Sequence, residues 1–381
     1  MIADPRFADL ITPSLLLDEA KMMRNIDRLV NHAQVLSVSL RPHLKTAKSV
    51  DVARRLLPGG NGPATVSTLA EAESFFAAGV GDILYAVGIA PQKLPRVVAL
   101  RSSGCDLSVI LDNVVQAEEV AKASREAGGP VPVLIEIDSD GHRGGLRPDD
   151  PLLINIGRIL YEGGAELRGV MTHAGESYNV VGNEAHAKFA EIERAAAVDA
   201  AKALRAANLP CPVVSVGSTP TAHAALDLTG VTELRAGVYV FFDLVMAGIG
   251  VCQQDDIALS VLTSVIGHQH DRGWVLVDAG WMAMSRDKGT ADQDVDQGYG
   301  VVCDEAGNIL SDLILSSANQ EHGIITRRSG ATTPMPDLPV GTRLRILPNH
   351  ACATAAQHSH FNVIPAEPDS ALIEWPRFGG W

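Results

Sequence analysis

The chain has 381 residues, of which 46% are hydrophobic and 20% are charged, and its formal net charge is −14. These proportions are typical of a globular protein with a sizeable core. The acidic excess argues against a nucleic-acid-binding or anionic-membrane-binding surface, since both favour basic patches.

The amino-terminal residues and the cysteines indicate a cytoplasmic protein. The first residues, "MIADPRFADLITP", have no basic start followed by an apolar run, so we expect no signal peptide. We also expect no membrane span, because no apolar stretch approaches the ~20 residues required. The five cysteines are scattered and form no CxxC pair, so reduced thiols are the simplest account.

In chain order, a short strand, "TPSLLLD", is followed by an amphipathic helix and then by alternating strand-like and helical runs. The strand-like runs are "VLSVSL", "ATVST", "DILYAV", "LSVILD", "PVLIEID", "LRGVMTH", "CPVVSVG" and "TELRAGVYVF". Counted from "VLSVSL", they give about eight β/α units, which is the count of a (β/α)8 barrel. The length accommodates such a barrel and one smaller domain.

From about Ile257 the pattern changes to β-rich runs without intervening helices, such as "IALSVLTSVIGHQ", "GWVLVDAG" and "TRLRILPNH". This pattern predicts an antiparallel β domain. The predicted fold class is therefore α/β, with a (β/α)8 barrel over residues 21–255 and a β domain over residues 256–381. We expect the strand in residues 1–20 to join the β domain.

Chemistry-bearing residues follow the predicted barrel strands, at the ends where barrels place catalytic groups. Lys45 follows the first strand in "LRPHLKTAKS", and Arg143 lies in the glycine-rich turn "DSDGHRGG". His173 ends "GVMTH", and Arg235 stands at the start of "RAGVYVFFD", which follows the last strand. An ordinary solvated turn is the alternative interpretation of the Lys45 segment.

A turn of Gly217, Ser218 and Thr219 follows "VVSV" and opens a predicted helix. Backbone N–H groups and hydroxyls in such a turn can hold a phosphate, although an ordinary helix cap is the alternative. A lysine at a strand end, a phosphate turn and an arginine able to face a ring nitrogen together suit pyridoxal 5′-phosphate (PLP).

A second signal lies in the β domain, in "RILPNHACATAAQH". His350 and Cys352 are two residues apart, so on an extended segment both side chains face the same way and can meet one metal. Imidazole and thiolate suit zinc or a similar divalent ion, here Zn, Mn or Co. The alternative is a chance pair with a buried thiol.

The chain is similar to the PLP-dependent D-serine dehydratase and D-threonine aldolase family, which has an alanine racemase-like fold. The resemblance covers essentially the whole chain. It rests on the segments "TPSLLLD", "RPHLKTAKS", "EIDSDGHRGG", "GVMTHAG", "VGSTPT", "LRAGVYVFFD", "NQEHG" and "LPNHACAT". At the position of this chain's His-x-Cys motif, the aldolases of the family look like His-x-Asp, and at the position of Arg235 they have Gln.

This resemblance implies roles for individual residues. Lys45 would bind PLP covalently and act as the base, His173 would stack on the pyridine ring, and Arg143 would lie near the phenolic oxygen. Arg235 would approach the pyridine nitrogen. The implied phosphate ligands are Gly217, Ser218, Thr219, Gly237 and Val238. Two tyrosines are also assigned to the cofactor site, with core packing as their alternative: Tyr178 and Tyr239. The implied metal ligands are His350 and Cys352, and His322 either lines the site or lies in a turn.

The function implied is that of a lyase that converts D-3-hydroxy amino acids, such as 3-hydroxyaspartate or D-serine, to 2-oxo acids and ammonia. The fold family implies a homodimer. The alternatives are an aldolase that releases glycine and an aldehyde, a metal-free racemase, and a non-enzymatic PLP-binding protein. The β domain and its HxC pair argue against the last of these.

Overall fold

The structure is a computed structural model that describes residues 5–381. Residues 1–4 of the predicted amino-terminal segment lie outside the described residues. The chain divides into two compact units. One comprises the described residues up to Ile26 together with Val238–Arg377, and the other comprises Asp27–Gly237 with Phe378–Trp381. Residues 238–255, which the sequence assigned to the barrel segment, therefore group with the β-rich unit.

The strands are, in chain order, β1 (Ser14–Asp18), β2 (Ser39–Pro42), β3 (Ala64–Val66), β4 (Asp82–Gly88), β5 (Asp106–Leu111), β6 (Pro132–Ile137), β7 (Glu166–Thr172), β8 (Val213–Val216), β9 (Glu233–Ala236), β10 (Leu259–Gln269), β11 (Trp274–Val277), β12 (Gly300–Asp304), β13 (Ile309–Ala318), β14 (Gly323–Arg327), β15 (Arg343–Pro348), β16 (His360–Ile364) and β17 (Ile373–Pro376).

The α-helices are, in chain order, α1 (Glu19–Val35), α2 (Val50–Leu56), α3 (Leu69–Ala77), α4 (Leu94–Ser102), α5 (Val114–Ala127), α6 (Pro151–Glu162), α7 (Asn183–Ala206), α8 (Thr219–Ala224), α9 (Leu244–Gly248), α10 (Trp281–Met284) and α11 (Ala351–Ala355). Within the described part of the chain, no helix has the length and apolar character needed to cross a membrane.

Strands β2 to β9 form one parallel sheet in the order β2-β9-β8-β7-β6-β5-β4-β3. The two outer strands of this order are joined just beyond β2, where His43 and Thr65 form a parallel bridge. The sheet therefore closes on itself, and the predicted (β/α)8 barrel is confirmed. Closure brings the segments that follow all eight strands to one edge, which is where the predicted site residues of this unit lie.

The local sequence explains where the barrel elements begin and end. Thr68 and Asn113 cap α3 and α5, because their side chains accept hydrogen bonds from the backbone N–H groups of Glu71 and Gln116. Gly128 ends α5 with a left-handed φ of 69°. The apolar strand β6 is buried along its whole length, as expected for a parallel strand covered on both faces.

The other unit contains a nine-stranded sheet in the order β11-β14-β13-β12-β15-β10-β1-β16-β17. Strand β10 also pairs with β11, so six of these strands form a closed antiparallel ring. Strand β1 extends the ring through an antiparallel pairing with β10 and a parallel pairing with β16. The antiparallel pattern predicted from Ile257 onward describes this unit, apart from the parallel β1–β16 pair.

Candidate active site

The segment that carries Lys45 is fixed to both neighbouring strands of the barrel. The N–H of His43 donates to the carbonyl of Ala236 at 2.7 Å, and the N–H of Leu44 donates to the carbonyl of Thr65 at 2.8 Å. Lys45 itself is exposed at the end of this segment, and its N–H donates to Nδ1 of His43 at 3.4 Å. The backbone is therefore held in place while the Lys45 amine remains accessible.

Arg235 is a buried cation, with only 4% of its surface exposed. Its Nη1 donates to Oγ of Ser215 and its Nη2 donates to the carbonyl of Thr172, each at 2.5 Å. Burial lowers the pKa of Arg235, whereas the charges of Glu233 and Glu193 raise it. The two direct acceptors are neutral, so among these contacts no carboxylate binds the guanidinium directly.

A chain of buried and half-buried polar groups extends from Arg235. Ser215 accepts from Arg235 and donates its own proton to Oε1 of Glu233 at 2.6 Å. Oε2 of Glu233 is 2.8 Å from Nε of Arg41, and Arg41 in turn contacts Asp82 at 2.7 Å. Because a buried charge is costly unless it is paired, this chain of contacts holds both arginines in defined positions. Ser215 and Glu233 were not predicted as site residues, because in the sequence both resemble ordinary strand residues.

His173 follows the last residue of β7 and is neutral at physiological pH. Burial lowers its pKa to about 3, despite the hydrogen bond to the carbonyl of Gly217. A neutral ring must carry its proton on Nδ1 to donate to that carbonyl, which lies 3.0 Å away. The ring of Tyr178 lies 6.2 Å from the His173 ring, centroid to centroid, at a tilt of 48°. The ring is therefore held in one orientation with Nε2 unprotonated.

The predicted phosphate turn is tightly built. Gly217 has a φ of +141°, and a Cβ at this position would lie 1.8 Å from the carbonyl oxygen of Arg235, so only glycine fits. The N–H groups of Gly217 and Ser218 are used within the protein, by Glu193 and by Oγ1 of Thr221. Oγ1 of Thr219 is buried and has no hydrogen-bond partner among the described residues, so it is the hydroxyl of the turn that is left for a ligand.

Gly237 brings a second stretch of backbone close to the Lys45 segment. A Cβ at Gly237 would lie 3.2 Å from Cβ of His43 and 3.3 Å from Oγ1 of Thr46, so a side chain here would crowd that segment. Val238 and Tyr239, which follow in the chain, begin the return to the other unit and are both buried. Burial raises the pKa of Tyr239.

Arg143 lies in the turn after β6 with 58% of its side chain exposed. Its nearest acidic partner is Glu136, at 3.7 Å from Nη2, which is too long for a strong hydrogen bond. Burial raises the pKa of Glu136, and the charge of Arg143 opposes this shift. The guanidinium of Arg143 thus retains unused donors for an anionic group.

The predicted metal ligands lie in the other unit, after β15. Nδ1 of His350 is 2.5 Å from Oδ2 of Asp287, and the His350 ring is also hydrogen-bonded to the Cys352 side chain. The expectation that both lie on an extended segment is wrong, because Cys352 is in the first turn of α11. Oδ2 of Asp243, which is buried, accepts the N–H of Ala351 at 2.9 Å and so fixes the turn between the two ligands.

His322 occupies an exposed turn of the same unit, in which the N–H of Asn319 donates to the carbonyl of His322 at 2.7 Å. Among the contacts of the described residues, none joins its side chain to another predicted site residue. In the same turn, the carbonyl of Asn319 accepts the N–H of Trp281 at 2.9 Å. The contacts of this segment are thus those of a turn that anchors α10.

The residues of the barrel unit fit PLP. An exposed lysine amine, a buried cation, a neutral histidine ring and a buried hydroxyl without a partner, at Thr219, supply the groups that its aldehyde, ring and phosphate require.

The His350–Cys352 pair also fits a divalent metal. Its nitrogen and sulfur donors contact each other, and a carboxylate lies behind the imidazole, as in many metal-binding histidines. In the part of the chain that the structure describes, no group of three or more His, Cys, Asp and Glu side chains forms a metal cluster.

Comparisons with known proteins agree with this arrangement. The family model "Alanine racemase, N-terminal domain" matches residues 17–245, and the model "Putative serine dehydratase domain" matches residues 258–364. D-threo-3-hydroxyaspartate dehydratase of Delftia sp. (strain HT23) is 57% identical over 97% of this chain and 98% of its own length. D-serine dehydratase of Dictyostelium discoideum is 29% identical over 93% of this chain and 94% of its own.

Two solved structures are informative. A cysteine-to-alanine mutant of D-threo-3-hydroxyaspartate dehydratase in the metal-free form has a TM-score of 0.95 and 56% identity, covering 99% of this chain and 100% of that chain. D-threonine aldolase from Filomicrobium marinum has a TM-score of 0.80 and 25% identity, covering 99% and 98%. The chain therefore belongs to the family that joins an alanine racemase-type barrel to a serine dehydratase domain and that includes D-threo-3-hydroxyaspartate dehydratase and D-serine dehydratase.

Proposed function

We propose that this chain is a PLP- and divalent-metal-dependent dehydratase that converts D-3-hydroxy amino acids to 2-oxo acids and ammonia. The observation that carries the proposal is the 57% identity, over nearly the full length of both chains, to D-threo-3-hydroxyaspartate dehydratase. The contact between His350 and Cys352 supports the dehydratase function, because the aldolases of the same family resemblance have a His-x-Asp motif at this position.

When bound, PLP supplies an electron sink for the charge left by α-proton removal, and a divalent metal supplies a Lewis acid for the departing hydroxide. The residues that would hold PLP, all but the last two of them in the barrel unit, are Lys45, Arg143, His173, Tyr178, Gly217, Ser218, Thr219, Arg235, Gly237, Val238 and Tyr239. The residues that would hold the metal, as Zn, Mn or Co, are His350 and Cys352.

Lys45 would bind the cofactor aldehyde and, as a free amine, take the α-proton of the substrate on Nζ. The fixed backbone of its segment keeps this amine at the open edge of the barrel. Arg235 would face the pyridine nitrogen as a donor that does not give up its proton, and the neutral ring of His173 would pack against the pyridine face. These residues bind and orient, while Lys45 alone moves a proton.

His350 and Cys352 would bind the metal through neutral imidazole and thiolate. Asp287 holds Nδ1 of His350 at 2.5 Å, which leaves Nε2 as the metal-binding nitrogen. Two protein ligands leave coordination positions for water and for the substrate hydroxyl, as a catalytic metal requires. In this proposal the substrate is a small D-3-hydroxy amino acid, and we expect it to be 3-hydroxyaspartate or D-serine.

The proposed function is tested by supplying the purified chain, with PLP and a divalent metal, with D-serine, L-serine and D-threonine in separate reactions. We expect ammonia and a 2-oxo acid from the D-amino acids, little product from L-serine, and loss of the reaction after chelation. Release of glycine and an aldehyde from D-threonine would instead identify an aldolase, and racemisation of serine without metal would identify a racemase.

We also propose that the protein is a cytoplasmic homodimer. None of the five cysteines, all of which lie within the described residues, forms a disulfide, which supports a reducing compartment. The resemblance to the fold family supports the dimer. Light scattering during gel filtration is expected to give twice the chain mass of 40.3 kDa. A monomer mass in the active fraction would contradict the dimer.

The contacts behind Arg235 lead to a further expected result. Ser215→Ala removes the hydroxyl that accepts from Arg235 Nη1 and that links Arg235 to Glu233. PLP binding and turnover should therefore each fall roughly tenfold, which is the cost of a lost hydrogen bond to a buried charge. PLP titration of the cofactor-free protein measures the first effect, and ammonia release measures the second.

A matched control is Ser108→Ala. Ser108 is also a buried strand serine bonded to an arginine, because its Oγ accepts from Arg168 Nη1 at 2.9 Å, but Arg168 has no proposed role in the site. We expect this variant to bind PLP like the wild type. Equal effects of the two substitutions would show that Ser215 acts only through general packing.

A further inference from the structure

Glu193, on α7, is a buried carboxylate that neither the sequence nor the proposed mechanism assigned to the site. It is 1% exposed. Its Oε1 accepts two backbone N–H groups, those of Ala174 and Gly217, each at 2.9 Å. Its Oε2 accepts the hydroxyl of Thr221 at 2.8 Å. The two oxygens of this one side chain therefore accept hydrogen bonds from three different segments at the barrel edge.

These three contacts surround the phosphate turn. Ala174 follows His173 at the end of β7, Gly217 follows the last residue of β8, and Thr221 lies in α8 two residues after Thr219. The N–H groups of Ala174 and Gly217 lie beyond the last residue pair between β7 and β8, which is Met171 with Ser215. Glu193 thus accepts backbone N–H groups just beyond the point where the pairing between the two strands ends.

A second contact links the same two strand ends. His173 donates Nδ1–H to the carbonyl of Gly217 at 3.0 Å, so Gly217 is held at its N–H by Glu193 and at its carbonyl by His173. Its peptide orientation, with a φ that only glycine tolerates well, is therefore set from both sides. The turn that follows carries the unpartnered hydroxyl of Thr219.

We propose that Glu193 is a positioning residue that shapes the Gly217–Thr219 turn for the phosphate group of PLP. This inference rests on the proposed function, since it names the cofactor of that site. The geometry makes the role depend on shape more than on charge. Both N–H groups go to Oε1, which glutamine would retain, and the Nε2 of a glutamine could donate to the Thr221 hydroxyl in place of Oε2.

The test compares the wild type with Glu193→Ala and Glu193→Gln, each as the full chain freed of cofactor by dialysis. Affinity is measured for PLP, for pyridoxal, which lacks the phosphate, and for inorganic phosphate as a competitor of PLP. The matched control is Glu191→Gln, because Glu191 lies on the same helix but is exposed and paired with Arg194 at 2.6 Å.

We expect Glu193→Ala to weaken PLP and inorganic phosphate binding at least about tenfold, because two buried N–H groups lose their acceptor, while pyridoxal binding changes less than about twofold. Glu193→Gln and Glu191→Gln should bind all three like the wild type. If Glu193→Ala does not fold, Thr221→Val, which removes one of the three contacts, should still weaken PLP binding more than pyridoxal binding.

The inference is overturned if Glu193→Ala loses PLP and pyridoxal affinity in parallel, or loses neither, or if Glu193→Gln is as defective as Glu193→Ala. A wild type that binds neither PLP nor pyridoxal would contradict the proposed function instead. In that case inorganic phosphate binding, measured directly by calorimetry on the wild type and Glu193→Ala, decides whether Glu193 shapes the turn.

Discussion

Replacement of Lys45 by alanine is expected to remove the visible absorbance of lysine-bound PLP and to lower ammonia release by at least about 10⁴-fold. Both losses follow from one side chain, because Lys45 is proposed to bind the cofactor covalently and to take the α-proton, and a general base alone contributes about 10²–10⁴. Absorbance spectra of the purified variant with added PLP measure the first loss. Discontinuous ammonia assays with long incubations measure the second.

Lys48→Ala is the matched control, since Lys48 is three residues away in the same segment. Nζ of Lys48 lies 3.2 Å from Oε1 of Glu71, whose side chain is 1% exposed. Its loss should therefore lower the melting temperature, because a buried carboxylate loses its cationic partner, yet keep the PLP absorbance. Retained absorbance of lysine-bound PLP in Lys45→Ala would remove Lys45 from its proposed role.

Removal of the metal site is expected to have different effects on the rates of two substrates that differ only in their leaving group. Cys352→Ala, or chelation of the wild type, should slow ammonia release from D-serine by about 10³-fold, because hydroxide leaves poorly without a Lewis acid. Ammonia release from β-chloro-D-alanine should fall less than about tenfold, since chloride needs no such help. PLP absorbance should remain unchanged in both cases.

Cys303→Ala is the control for this pair of measurements. Cys303 is a fully buried thiol of β12 in the same unit, and burial raises its pKa to about 11, so it stays protonated and is not expected to bind metal. If Cys352→Ala or chelation lowers the melting temperature and harms both substrates equally, the metal is structural, because structural metals contribute folding free energy.

The barrel and the positions of its strand-end residues were predictable for a definite physical reason. Buried parallel strands alternate with helices in the sequence, and barrel closure places every strand end at one edge. Lys45, His173 and the Gly217 turn therefore lie at the barrel edge on which they were expected. The predicted strand "TELRAGVYVF" was too long, because the chain leaves the sheet after Ala236 and forms a 3₁₀ turn over Val238–Val240.

The remaining groups of the site could not be found from one sequence, because their roles depend on contacts between distant residues. Glu193 lies in an alanine-rich helix and resembles its exposed neighbour Glu191. Ser215 and Glu233 are 18 residues apart and meet only through the pairing of β8 with β9. For His350 and Cys352 the spacing was informative, but the helical turn that brings them together was not the extended segment that this spacing suggested.

The most direct measurement of the central claim uses a single substrate that an elimination and a carbon–carbon cleavage convert to different products. D-threo-3-hydroxyaspartate gives oxaloacetate and ammonia if the hydroxyl is eliminated, and glycine and glyoxylate if the Cα–Cβ bond breaks. With PLP and a divalent metal present, we expect ammonia and 2-oxo acid in equal amounts, and no glyoxylate. Glycine and glyoxylate as the main products would contradict it.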